Sequence, residues 1–75
     1  MNTKEIGNLI RRRRRELGID QQRAARHTGL SVHTWSDVES GKGNPTLETL
    51  VLMLDALGLS LEVRPNIPLP PEEDS

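Results

Sequence analysis

An all-α domain finished by one short β-strand is the fold this sequence predicts, and three observations predict it. Four blocks between residues 4 and 57 carry apolar side chains at helical spacing, punctuated by capping residues and glycines. One segment, Leu59-Ser60-Leu61-Glu62-Val63-Arg64, alternates apolar and polar residues with the period of a strand. The chain has 75 residues, room for one domain with a modest core that depends on regular helix packing or a second subunit.

The first helix is predicted over residues 4–17, KEIGNLIRRRRREL, where Ile6, Leu9, Ile10 and Leu17 share a face and Gly18 stops the helix. The five arginines Arg11 to Arg15 wrap right round such a helix at about 100° per residue, so they form no single anion-binding face. Asp20 caps a second helix over 21–28, which Gly29 closes. Ser31 caps a third over 32–40, with Trp35 and Val38 inward. Residues 40–45, SGKGNP, are a loop by composition. A fourth helix over 47–57 starts from Thr46, with Asn44 before Pro45 as the competing cap. Its apolar stripe is Leu47, Leu50, Val51, Leu54 and Leu57. Leu52 and Ala56 fall on the far side, either as ordinary surface residues or as a partner contact.

A lone strand at 59–64 cannot satisfy its own N–H and C=O groups, and no second strand is available for a hairpin. Pairing with the same strand of a second copy across a two-fold axis solves this, which makes Leu59, Leu61 and Val63 the dimerisation residues. Residues 65–75, PNIPLPPEEDS, hold four prolines and three acids and read as a flexible tail. The expected organisation is a domain over 1–64, including the strand at 59–64, and a Pro-rich acidic tail over 65–75.

Composition narrows the function. The absence of Cys excludes disulfides, thiolate metal sites and thiol nucleophiles, and fits a reducing cytoplasm. No stretch approaches the roughly 18 apolar residues that span a bilayer. The N-terminus lacks the apolar region of a secretory signal, so a cytoplasmic protein without a membrane role is expected. His27 and His33 have no third ligand placed for a metal, no nucleophile–base pair is evident, and neither an enzyme nor a cofactor is expected. The net charge of −1 conceals an asymmetry. Residues 1–43 carry nine Lys/Arg against five acids, for +4, whereas residues 44–75 carry one Arg against six acids, for −5. A basic front points to a polyanion.

Two short helices joined by a glycine-containing turn, QQRAARHTGLSVHTW, have the layout of a helix-turn-helix. A longer pattern in fixed order and spacing sharpens this: Ile10-Arg11, Arg14, Gly18-Ile19, Gln21, Ala25, Gly29-Leu30-Ser31, Trp35, Val38-Glu39, Gly41-Lys42 and Asn44-Pro45-Thr46-Leu47. It resembles the Cro/C1-type (XRE-like) helix-turn-helix family over about residues 5–58. The resemblance implies a lambda-repressor-like domain whose third helix enters the DNA major groove. Residues 56–65, ALGLSLEVRP, look like the end of the HipB-type antitoxins, whose C-terminal strands pair between subunits.

By this resemblance Gln21 contacts a phosphate, a role also suited to its place in the first turn of a helix. Ser31, Thr34, Ser36 and Ser40 are short hydrogen-bonding residues on or beside the third helix, and Lys42 with Asn44 forms a second phosphate clamp or simply a polar loop. Val32, His33 and Asp37 match the base-reading positions: a thymine methyl for Val32, a groove edge for His33, a cytosine amino group for Asp37. Asp37 departs from the basic or neutral residues usual there. Arg14 and Glu39 match an ion pair that bridges the first helix to the third. Arg13 stands at a place that is apolar in most relatives, so its stem is expected to cover the core edge while its head reaches water. Trp35, the one aromatic residue, is read as core, filling the room that Ala24 leaves where the family carries a larger aliphatic.

These readings imply a homodimeric repressor of a palindromic operator, and more narrowly an antitoxin that autoregulates its operon and neutralises a HipA-like kinase toxin. The alternatives are a protein whose main task is toxin binding, and a free-standing phage-like or metabolic regulator.

Overall fold

In the computed structural model, which describes residues 1–68 and Pro70, the chain folds into four helices: α1 (Thr3–Glu16), α2 (Gln21–Thr28), α3 (Val32–Glu39) and α4 (Leu47–Ala56). Local chemistry sets their ends. Asp20, Ser31 and Thr46 each turn a side-chain oxygen onto a backbone N–H three residues on, which satisfies one of the orphan donors of α2, α3 and α4. For α1 that role falls to Asn2, in a reciprocal box: Asn2 Oδ1 accepts from the Glu5 N–H at 2.8 Å and Glu5 Oε1 accepts from the Asn2 N–H at 3.0 Å. α1 therefore starts one residue earlier than its apolar spacing implies.

The core is the set Ile10, Ala24, Ala25, Trp35, Val38, Met53 and Leu57, with Ile6, Ile19, Leu30, Leu50, Leu54 and Leu59 packed around it. α3 lies against both α1 and α2, and α4 covers α2. Two expectations need correction. In α1 only Ile10 of the apolar set is fully buried; Leu9 and Leu17 are exposed. In α4 the buried face is rotated from the expected stripe, with Met53 and Leu57 buried, Leu50 and Leu54 half-buried, and Leu47 and Val51 exposed. The sequence LETLVLMLDA is apolar nearly all round, so its periodicity selects no single face. Leu52 is exposed, as expected, and Ala56 is half-buried.

Gly7 permits a close approach of α1 to the end of α3. A Cβ at this position would fall on the Val38 carbonyl oxygen and within 2.8 Å of the Glu39 carbonyl oxygen. Both are backbone atoms with little freedom to retreat, so Gly7→Ala is expected to cost about 1–3 kcal/mol through overpacking. A urea titration showing an unchanged midpoint would contradict this contact.

Residues 60–65 carry neither helix nor strand pairing in the single chain. The chain leaves α4 at Gly58, and the Leu59 N–H turns back to the Leu54 carbonyl at 2.8 Å. Leu59 is thus drawn onto its own core, whereas Leu61 and Val63 are exposed. The expected strand is not formed: among the described residues no backbone segment pairs with it, and a ladder there would require a second strand. Among the described residues no helix is long and apolar enough to cross a membrane.

Candidate nucleic-acid interface

The α2–α3 pair is built around one left-handed residue. Gly29 has φ of 76°, and its N–H caps α2 at the Ala25 carbonyl. An L side chain there would be strained, so glycine fits the turn. Ser31 then starts α3: its Oγ accepts from the Thr34 N–H at 3.0 Å and lies 2.9 Å from Thr34 Oγ1. Trp35, Val38 and Glu39 point inward from α3, while Val32, His33 and Ser36 stand exposed and Thr34 and Asp37 are half-buried. One side of α3 is thereby fixed in the core and the other is presented to solvent.

On that outer side His33 Nε2 lies 3.2 Å from Asp37 Oδ2, one helical turn away. Asp37 also borders a hollow with Thr34, Lys42 and Asn44 beside the start of α4. The Lys42 N–H donates to the Asp37 carbonyl at 2.8 Å, which brings the loop back against the end of α3. Ser40 uses its hydroxyl proton on the Ser36 carbonyl at 2.9 Å, so a bond from this hydroxyl to an anion requires it to rotate.

Behind the exposed face sits a buried polar node. Glu39 is 1% exposed. Arg14 grips it with both prongs, Nε to Oε2 at 2.6 Å and Nη2 to Oε1 at 2.8 Å, and spends Nη1 on the Ile19 carbonyl at 2.8 Å. Gln21 Nε2 donates to the same Oε1 at 3.1 Å. Burial pushes the Glu39 carboxyl up, but the hydrogen bonds from Arg14 and Gln21 and the charges of Arg14 and Arg11 together outweigh it and hold the pKa below the ordinary value. The hydrogen bond from Arg14 to Glu39 raises the guanidinium's own pKa despite burial. The node ties α1, the start of α2 and the end of α3 to one carboxylate, so it fixes the angle at which α3 is presented. It also engages one of the two amide N–H groups of Gln21, the residue expected at a phosphate.

Trp35 is 0% exposed and so offers no stacking surface. Its Nε1–H donates to Thr28 Oγ1 at 3.1 Å, and that hydroxyl donates in turn to the Ala24 carbonyl at 2.9 Å. Sequence reasoning missed Thr28; a threonine seven residues before a buried indole is too loose a signal. It also missed where Arg13 ends. The guanidinium does not simply reach water: Nε donates to the Leu57 carbonyl at 2.9 Å and so satisfies the end of α4.

A protein family described as a helix-turn-helix domain matches residues 5–67. The chain is 39% identical over 57 residues to the uncharacterised HTH-type transcriptional regulator y4dJ of Sinorhizobium fredii, covering 76% of this chain and 74% of that one. It is 33% identical over 58 residues to the cryptic phage CTXphi transcriptional repressor RstR of Vibrio cholerae, covering 77% of this chain and 52% of that repressor. The chain thus spans about half the length of the second relative. Because the family match takes in the whole of α2, the glycine turn and α3, the part of the fold that gives the family its name, this chain belongs to the helix-turn-helix family.

Proposed function

We propose that the protein is a sequence-specific DNA-binding transcriptional repressor that acts as a two-fold homodimer. The observation that carries this is the two-sidedness of α3: Trp35, Val38 and Glu39 anchor it, and Val32, His33, Ser36 and Asp37 are left on the outside. A helix so held fits the major groove, where Val32 can meet a thymine methyl and Asp37 a cytosine amino group. Ser31, Thr34, Ser40, Lys42, Asn44 and Gln21 border it as candidates for phosphate contacts, which supply affinity rather than discrimination. The likeness to RstR supports the repressor role, and the likeness to y4dJ supports the broader one of transcriptional regulation.

Dimerisation draws its support from the alternation over 59–64 and from the exposure of Leu61 and Val63. In a dimer paired there, with Leu59 at its start, two α3 helices about 34–36 Å apart would read a palindrome. The DNA-binding unit on this reading is 1–64 and the tail is 65–75, of which Leu69 and residues 71–75 lie outside the described residues. Between narrower readings, the likeness to RstR over 58 residues favours a free-standing, phage-type regulator. A HipB-like antitoxin with a HipA-like kinase partner rests on residues 56–65 alone. A toxin gene beside this one would reverse that order.

The test is a titration on a duplex selected from a random pool, set against an unselected duplex. Val32→Ala, His33→Ala and Asp37→Ala are each expected to lose about 1–3 kcal/mol on the selected duplex with little change on the other. Equal weakening on both would remove base reading from these residues. Sedimentation at the binding concentration checks the dimer, and a monomer there would remove that part.

A further inference from the structure

Of the five consecutive arginines, two have structural tasks. Arg14 is occupied by Glu39 and Ile19, and Arg13 by the Leu57 carbonyl, with Glu16 3.5 Å from its Nη1. Arg12 lines the apolar groove between α1 and the residues that follow α4, together with Leu9, Leu50 and Leu61. Arg15, like Arg12, is exposed and makes no hydrogen bond among the described residues, so what sets Arg11 apart is its place beside the buried Glu39 node. The Arg11 Nε lies 3.6 Å from Glu39 Oε1, beyond hydrogen-bond length, and its guanidinium makes no hydrogen bond among the described residues.

We infer that Arg11 binds a DNA phosphate, on the outer side of the node that Arg14, Gln21 and Glu39 form. The inference rests on the DNA-binding reading above. Three features carry it. First, Glu39 is one carboxylate facing two guanidinium groups, and Arg14 already holds it by two hydrogen bonds, so the positive charge of Arg11 is surplus. Asp20, whose charge also acts on Arg14, is turned instead to the Arg23 N–H as the cap of α2. Second, Arg11 is the outer cation, its side chain 39% exposed against 9% for Arg14. Third, it is placed among the other candidate phosphate contacts. Gln21 meets the same carboxylate oxygen, and the start of α1 touches the Gly41 carbonyl through Thr3 Oγ1 at 3.4 Å, next to Lys42. Along α1, Arg11 lies between these two points. A guanidinium with its N–H fork unused is suited to gripping two phosphate oxygens at once.

The experiment measures binding to a random-sequence duplex between about 50 and 200 mM salt, for the unaltered chain and for Arg11→Gln and Arg12→Gln. Loss of one phosphate contact is expected to lower the slope of log affinity against log salt by about 0.9 for Arg11→Gln and to leave it unchanged for Arg12→Gln. An unchanged slope for Arg11→Gln overturns the inference, as does an equal fall for Arg12→Gln, which would report net charge alone. If Arg11→Gln fails to fold, the Nε–H resonances of the unaltered chain decide: that of Arg11 is expected to move on adding duplex while that of Arg12 stays, and an unmoved Arg11 overturns it. Binding by the unaltered chain that does not vary with salt would overturn the DNA reading itself. A salt-dependent wild type with an unaffected Arg11→Gln sinks this inference alone.

Discussion

Trp35→Ala is expected to destabilise the protein by about 3–5 kcal/mol, close to the whole stability of many small domains. The indole is fully buried where Ile10, Ala24, Ala25, Val38, Met53 and Leu57 come together, and it is the one aromatic ring in the chain. Ala24 and Ala25 are too short to reach into the space an absent indole leaves, so Ile10, Met53 and Leu57 could close it only in part. The loss also takes away the N–H that the Thr28 hydroxyl accepts. Trp35→Phe keeps much of the apolar bulk but loses that hydrogen bond and leaves a smaller cavity; a lower cost, about 1–3 kcal/mol, is expected. Urea denaturation followed by circular dichroism reads both. A Trp35→Ala chain as stable as the parent would show that the indole is not the keystone of the core.

Glu39→Ala is expected to be as damaging, by about 3–5 kcal/mol, because it leaves the Arg14 charge buried with only the Ile19 carbonyl. The double change Arg14→Met with Glu39→Met, which removes both charges, is expected to recover much of that loss. The same carboxylate predicts a pH dependence. Its folded pKa is depressed below the ordinary value, so the pair's contribution is fully present above the unfolded value of about 4.3 and disappears as pH falls through the folded pKa. Denaturation midpoints measured from neutral pH downward are therefore expected to fall below about pH 4.3 more steeply in the parent than in Glu39→Gln. Parallel pH curves would mean that Glu39 titrates alike in both states, against the bidentate geometry. Since the node also sets the angle of α3, a folded Glu39 variant is expected to lose duplex binding beyond its loss of stability.

Much of this architecture was legible in the chain itself. Asp20, Ser31 and Thr46 announce three helix starts, Gly29 announces the turn, and α2 occupies the residues expected of it. The inward placement of Trp35 and Val38 and the outward placement of Val32 and His33 follow from helical spacing once the start of α3 is known. The node around Glu39 was half legible: the Arg14 partner came from resemblance, while Gln21 and Arg11 on the same oxygen did not. Capping and periodicity are readable because their causes lie within a few residues of each other.

What the tertiary structure alone decided are choices made between distant segments. The face that α4 buries is one, for a helix apolar nearly all round is oriented chiefly by what it packs against. The end of Arg13 is another, since it reaches a carbonyl 44 residues away along a side chain with many rotamers. Gly7 reads as an ordinary small residue until the end of α3 lies on it. The segment at 59–64 carries a strand's alternation, yet a strand becomes one only when another backbone supplies its hydrogen bonds. Short-range order was written in neighbouring residues; long-range order was settled by the close packing of side chains that the sequence keeps far apart.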